Sequence, residues 1–257
     1  MGGRVKLTVI GCSGSVPGPA SPASCYLVQA PFEGRTYSLL LDLGSGAFGP
    51  LQGHLNPHDI DAVALSHLHA DHCLDLTALY VARRYGPGGP SPSIPVHGPP
   101  GAAERMARAY DLPVDPGMSE EFDFLDWDRN HAVGIGPFMV SAVRVEHPVE
   151  TYAVRVEHDG AVLVYSGDTG PCAALIRVAR GANLLLAEAS FVDSAENPSG
   201  LHLTGRQAGE HASAAAVGRL LLTHIPPWID ADEVLTEARA GYQGPIELVT
   251  AGASYLL

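Results

Sequence analysis

Three imidazoles and one carboxylate stand within six residues in Ser66-His67-Leu68-His69-Ala70-Asp71-His72. Nitrogen and oxygen donors at that density suit a divalent ion, Zn²⁺ first and Mn²⁺ or Fe²⁺ by the same residue types. The apolar run 60–65 comes directly before them, so the donors belong at the C-terminal tip of a strand. In an extended turn His67 and His69 share one face, whereas Asp71 and His72 enter the next element and can aim at a second centre. One ion would hardly use all four at this spacing.

The elements that must position such donors are legible as short apolar runs bounded by Gly, Pro, Asn and Asp. Runs at 5–10, 25–28, 37–41, 60–65, 138–145, 152–156, 161–165, 184–187, 220–223 and 246–249 read as strands. Between the later ones lie helical patterns with readable ends. Thr204-Gly-Arg-Gln207 and Asp230-Ala-Asp-Glu233 resemble N-terminal capping patterns, and Gly181 and Gly241 suit positions just past a helix end. Strands come first, then strands alternating with helices, which predicts an α/β fold with helices covering both outer faces of stacked sheets. The Gly- and Pro-rich stretches 86–92 and 113–119 read as exposed loops, and residues 1–257 as one domain.

The pattern H-x-H-x-D-H over residues 67–72 resembles that of the metallo-β-lactamase superfamily of hydrolases. The resemblance runs from Gly11-Cys-Ser-Gly-Ser-Val-Pro17 and Leu41-Asp-Leu-Gly44 to His224. It implies an αββα sandwich of two mixed sheets and further ligands downstream. The matching residues are His147 in Val145-Glu-His-Pro148, Asp168 in Ser166-Gly-Asp-Thr169 and His224 in Leu222-Thr-His-Ile225, each after an expected strand. By the family pattern His67, His69 and His147 hold a first metal, Asp71, His72 and His224 a second, and Asp168 bridges them. Asp42 reads as a turn former or an acceptor behind the ligands.

Leu186-Ala-Glu188-Ala-Ser-Phe191, followed by Ser199-Gly-Leu-His202-Leu-Thr204, resembles the Glu and His-x-Thr motifs of the ribonuclease Z-like phosphodiesterases in that superfamily. There the two residues form a carboxylate–histidine pair beside the metals. Such a pair fixes one tautomer, raises the imidazole pKa and fits it to protonate a leaving alkoxide. Asp71, Glu188 and His202 are therefore the expected catalytic residues, acting with a water shared by two metals. Cys73 and Cys172 read as packing residues rather than nucleophiles.

Composition narrows the substrate. Fifteen Lys and Arg stand against 28 Asp and Glu, a formal charge of −13, and residues 119–128 carry five carboxylates. That field repels a phosphate backbone, and the protruding basic arm common in ribonuclease Z proteins is not apparent, so a small phosphodiester is expected ahead of tRNA. The chain resembles the compact cyclic-nucleotide phosphodiesterases of that branch, which implies a substrate of the 3′,5′-cyclic AMP type. A tRNA 3′-processing endonuclease and a β-lactam or thioester hydrolase are the competing readings. Arg83 and Arg84 read as helix-end caps or solvated cations, and Phe191, Tyr152 and Trp228 as rings that could meet a base or else pack. The start of the sequence has no secretory pattern, no apolar run nears the length of a membrane span, and the four cysteines form no C-x-x-C pair. A cytoplasmic protein is expected, with a homodimer only by family analogy.

Overall fold

The computed structural model describes residues 4–87, 89–128, 131–194 and 196–257. Residues 1–3 of the expected start, and Gly88 of the expected loop 86–92, lie outside the described residues. The first half of the chain forms β1 (Lys6–Gly11), β2 (Cys25–Phe32), β3 (Arg35–Leu41), β4 (Ala62–Ala64), β5 (Ile94–Gly98) and β6 (Phe122–Asp126). The second half forms β7 (Val133–Ile135), β8 (Phe138–Arg144), β9 (Tyr152–His158), β10 (Ala161–Tyr165), β11 (Leu184–Glu188), β12 (Leu220–Thr223), β13 (Ile246–Leu248) and β14 (Ser254–Leu256). They build two seven-stranded sheets, β14-β1-β2-β3-β4-β5-β6 and β13-β12-β11-β10-β9-β8-β7. Each sheet is antiparallel at one side and parallel at the other, along β3 to β6 and β10 to β13.

Side chains alternate across each strand, and the alternation makes the layers. Leu39 and Leu41 of β3 join Leu163, Tyr165, Leu186 and Leu221 of the other sheet in a core between the sheets. Their neighbours Leu40 and Val63 face outward and are covered by α1 (Phe48–Leu51), α2 (Ala70–Cys73), α3 (Leu76–Tyr85) and α4 (Ala102–Ala109), through Leu51, Cys73, Leu76 and Met106. Val164, Leu185 and Leu222 face the opposite way, under α5 (Ala173–Ala179), α6 (Gly205–Ala214) and α7 (Ala231–Gly241), through Leu175, Ala212 and Val234. The result is the four-layered αββα arrangement. All ten expected strands are present.

Helix ends follow local chemistry. Thr204 and Gln207 exchange both bonds of a capping box at the start of α6. Asp230 caps α7 more simply, accepting from Asp232 N at 3.0 Å. Gly181 follows α5 in the left-handed region at φ 65°, as its position suggested. Gly241 differs: it is the last residue of α7, and a Cβ there would lie 2.7 Å from Arg206 O and Glu210 N, so close packing of α7 on α6 explains this glycine. Among the described residues no helix is long and apolar enough to cross a membrane.

Candidate metal centre

Every expected donor lies at or just past the C-terminal end of a strand, along one edge of the sandwich. His67 to His72 follow β4, His147 follows β8, Asp168 follows β10, Glu188 ends β11 and His224 follows β12. The turn after β4 splits the motif as its spacing predicts, with His69 capping α2 and Asp71 and His72 inside it. His67, His69, His147 and Asp168 form one group of converging donor atoms and Asp71, His72, His224 and Asp168 a second; Glu188 and His202 also converge with His224.

In the first group His67 Nε2 lies 3.0 Å and His147 Nε2 3.4 Å from His69 Nδ1. In the second, His224 Nε2 lies 3.1 Å from both His72 Nε2 and Asp71 Oδ2. Two nitrogens sharing a tetrahedral zinc at ~2.1 Å sit about 3.4 Å apart, so these spacings suit a common ion in each group. Asp168 is 2% exposed, and its Oδ1 has no hydrogen-bond donor. A buried carboxylate oxygen left without a donor is costly unless a cation meets it. The residues therefore fit two divalent ions.

The protonation balance agrees. Burial, then the neighbouring charge of His72, pushes the His67 imidazole well below its ordinary range, and burial also lowers His69 and His147. These rings are neutral and offer lone pairs. Burial opposes the charge of His72 as well, but Asp168 and Asp42 outweigh it and raise that imidazole. Asp71 and Asp168 resist burial too, and histidine partners hold both carboxyls below the usual range. A proton thus sits among the carboxylates of the second group, where a cation would replace it.

A further shell of contacts fixes the rings. Asp42 directly follows β3, with φ 57°, and accepts from Ser66 N, Ser66 Oγ and His72 Nδ1 at 2.7 Å each, and from Tyr165 OH at 2.8 Å. His72 Nδ1–H is therefore committed to Asp42, which leaves Nε2 as its donor atom. His147 donates from Nδ1 to Leu201 O at 2.8 Å, and His224 Nδ1 meets Ser190 Oγ at 2.9 Å. His224 also stands at φ 55°, a left-handed conformation that a non-glycine residue keeps only where its surroundings over-determine it. Gly44 is required by crowding: a Cβ there would lie 1.9 Å from Asp71 O.

Glu188 and His202 meet beside both groups. His202 Nδ1 lies 2.9 Å from Glu188 Oε1, which also accepts from Thr169 N at 2.9 Å. The other oxygen of Glu188 accepts from Ser190 N and Ser190 Oγ. The carboxylate is fully engaged, so it acts on His202 rather than on an ion. Burial opposes the His202 charge, but the charge and hydrogen bond of Glu188 prevail and raise the imidazole to about 9.

Several expectations need correction. Arg83 is not solvated: it is 2% exposed, with Nη2 donating to Pro92 O. Arg84 is spent on Glu120 and Glu121 at 2.6 Å each. Tyr152 is 1% exposed, a core ring that cannot stack on a substrate, and Trp228 is 65% exposed. Cys73, by contrast, packs as expected: it is buried, and desolvation pushes its thiol up to about 12. Ser66, Ser190 and Tyr165 were not foreseen; the first two adjoin motif residues in sequence, but nothing in a strand-end tyrosine announces a partner 123 positions away.

Residues 38–225 match the family model described as the Beta-lactamase superfamily domain. The Mycobacterium leprae protein ML1173 is 46% identical over 98% of this chain and 88% of its own. The probable metallo-hydrolase YhfI of Bacillus subtilis is 30% identical over 96% of this chain and 98% of its own. The crystal structure of YhfI superposes with a TM-score of 0.87, covering 99% of this chain and 100% of that one. A ribonuclease Z of Mycolicibacterium gilvum is 31% identical over 87% of this chain and 85% of its own.

Proposed function

The chain belongs to the beta-lactamase superfamily and is a metallo-hydrolase of that fold, and from this premise we propose that it is a dinuclear phosphodiesterase acting on a small phosphodiester, a 3′,5′-cyclic nucleotide such as cyclic AMP. One observation carries the reading. A histidine held at 2.9 Å by a buried carboxylate stands beside both donor groups, with Nδ1 engaged and Nε2 left for a substrate.

His67, His69 and His147 would hold one divalent ion, Asp71, His72 and His224 the other, and Asp168 both; Zn²⁺ suits these donors first, then Mn²⁺ or Fe²⁺. Bound there, the ions would acidify a water and polarise a phosphoryl oxygen. The chain's own part is proton delivery and orientation. His202 carries at Nε2 the proton that a departing alkoxide takes, while Glu188 holds Nδ1–H and balances the charge of the imidazolium. Asp71, ionised by its hydrogen bonds to His224 and His72, keeps the second group anionic.

Processing of tRNA is less favoured because Asp and Glu outnumber Lys and Arg by 28 to 15, and three of the exposed cations are paired: Arg84 with Glu120 and Glu121, Arg206 with Asp193, Arg35 with Asp61. A β-lactam or thioester hydrolase would leave the Glu188–His202 pair without work. Assaying metal-loaded protein against cyclic AMP, 2′,3′-cyclic nucleotides, bis(p-nitrophenyl) phosphate, pre-tRNA and nitrocefin separates these readings. Turnover of cyclic AMP with none of nitrocefin or pre-tRNA is expected, and the reverse pattern rejects the proposal.

A further inference from the structure

A cleft of about 540 Å³ opens beside His202, walled by Glu146, Phe191, Asp193, Asn197 and Gly200. Its volume is that of a small-molecule site. Among the described residues no lysine or arginine lines it. Its two carboxylates differ in state. Asp193 is occupied, accepting from Thr204 Oγ1 at 2.7 Å and from Arg206 Nε. Glu146 is exposed, its carboxylate accepts no hydrogen bond from a described residue, and its Oε1 would lie 3.4 Å from a Cβ on Gly200. It also directly precedes His147, so it marks the border between cleft and donor groups. Phe191, half-buried, meets the His202 ring edge-on at 5.2 Å and gives the cleft an aromatic wall.

An uncharged ring system with amino or hydroxyl groups gains on every one of these surfaces, since it packs on Phe191 and donates to Glu146. A group carrying a second phosphate meets a free carboxylate and no cation beyond the His202 imidazolium, whose charge Glu188 already balances, and loses. We infer that this cleft receives the leaving-group side of the diester and that Glu146 selects an uncharged nucleoside there over one bearing a further phosphate. The inference rests on the phosphodiesterase reading above. It makes Glu146 a determinant of specificity, separate from proton transfer.

Calorimetric titration of metal-free protein with adenosine and with adenosine 2′-phosphate, whose phosphate is not the scissile one, tests the selection without any ion to attract phosphate. Adenosine should bind at least tenfold more tightly than adenosine 2′-phosphate. In Glu146→Gln the two affinities should converge to within about threefold, and in Glu146→Lys adenosine 2′-phosphate should bind better than adenosine. The residue is on the surface, so both variants should melt within a few degrees of the parent. Equal affinities in the parent protein, an unchanged ratio in Glu146→Lys, or no adenosine binding at millimolar concentration would overturn the inference. The phosphodiesterase reading fails on a different observation, namely that the metal-loaded parent protein leaves bis(p-nitrophenyl) phosphate intact.

Discussion

Asp168 turns one carboxylate oxygen to each donor group: Oδ2 lies 3.7 Å from His67 Nε2, and Oδ1 lies 3.2 Å from His72 Nε2. No other residue belongs to both groups among the described residues. Replacing Asp168 by Ala should therefore lower metal content from two ions per chain to one or fewer. Activity should fall by more than ~10², the upper range for losing even an outer partner of a ligand. Two tightly held ions in Asp168→Ala, by elemental analysis after dialysis, would remove Asp168 from the bridging position.

The Glu188–His202 pair predicts a titration in metal-free protein. The His202 imidazole should titrate at about 9, against about 6.5 when unfolded. Because the folded value is the higher one, the stability this pair contributes is complete below pH ~6.5. It is lost as pH rises through about 9. A contribution on the order of 3 kcal/mol is expected, and Glu188→Gln should remove most of it and bring the titration down, since only the Asp168 charge is then left to oppose burial. NMR titration and urea unfolding at pH 6 and 9.5 check both parts; equal stability loss between the two pH values in parent and variant would contradict them.

Asp42 gives a third. Its removal strands four buried donors: His72 Nδ1 of the second group, Ser66 N and Ser66 Oγ beside His67, and Tyr165 OH. Asp42→Ala should cost about 2 to 4 kcal/mol and weaken binding of one of the two ions by roughly 10- to 100-fold. Asp42→Asn should recover part of the stability but not the affinity, because an amide cannot hold His72 in its tautomer. Urea melts with a parallel zinc titration measure both quantities.

The parts of this structure that were legible in sequence are those governed by local periodicity. Apolar runs such as 184–187 sit buried on both faces and need no partner to be recognised. The strands that were missed lack that signal. Phe122–Asp126 alternates aromatic and acidic residues at the edge of its sheet, and Ile94–Gly98 contains a proline and a histidine. The donors were legible because so many ligands in so few residues have little other use. Arg83 misled for the converse reason: charge predicts solvent, and only the fold shows its guanidinium folded back onto Pro92. Tyr152 likewise reads as an available ring until β9 carries it between the sheets.

Removal of metal should destabilise the fold as well as silence it. Ions bound only by the folded chain at about 1,000 times their Kd contribute about 4 kcal/mol, which for a chain of this size corresponds to a fall in Tm of roughly 10 °C. Scanning calorimetry before and after chelation measures this, and an unchanged Tm after verified removal would mean that the two groups do not bind ions in the folded state.

The role of His202 as proton donor is tested most directly by the dependence of its replacement on the leaving group. His202→Ala should retain both ions, because Nδ1 is committed to Glu188 and the residue completes neither donor group. Turnover of cyclic AMP should fall by roughly 10² to 10⁴, while the loss on bis(p-nitrophenyl) phosphate should be within about tenfold, since p-nitrophenolate departs without a proton. Equal losses on the two substrates, or departure of metal from His202→Ala, would contradict general-acid catalysis and make His202 a structural residue or a ligand.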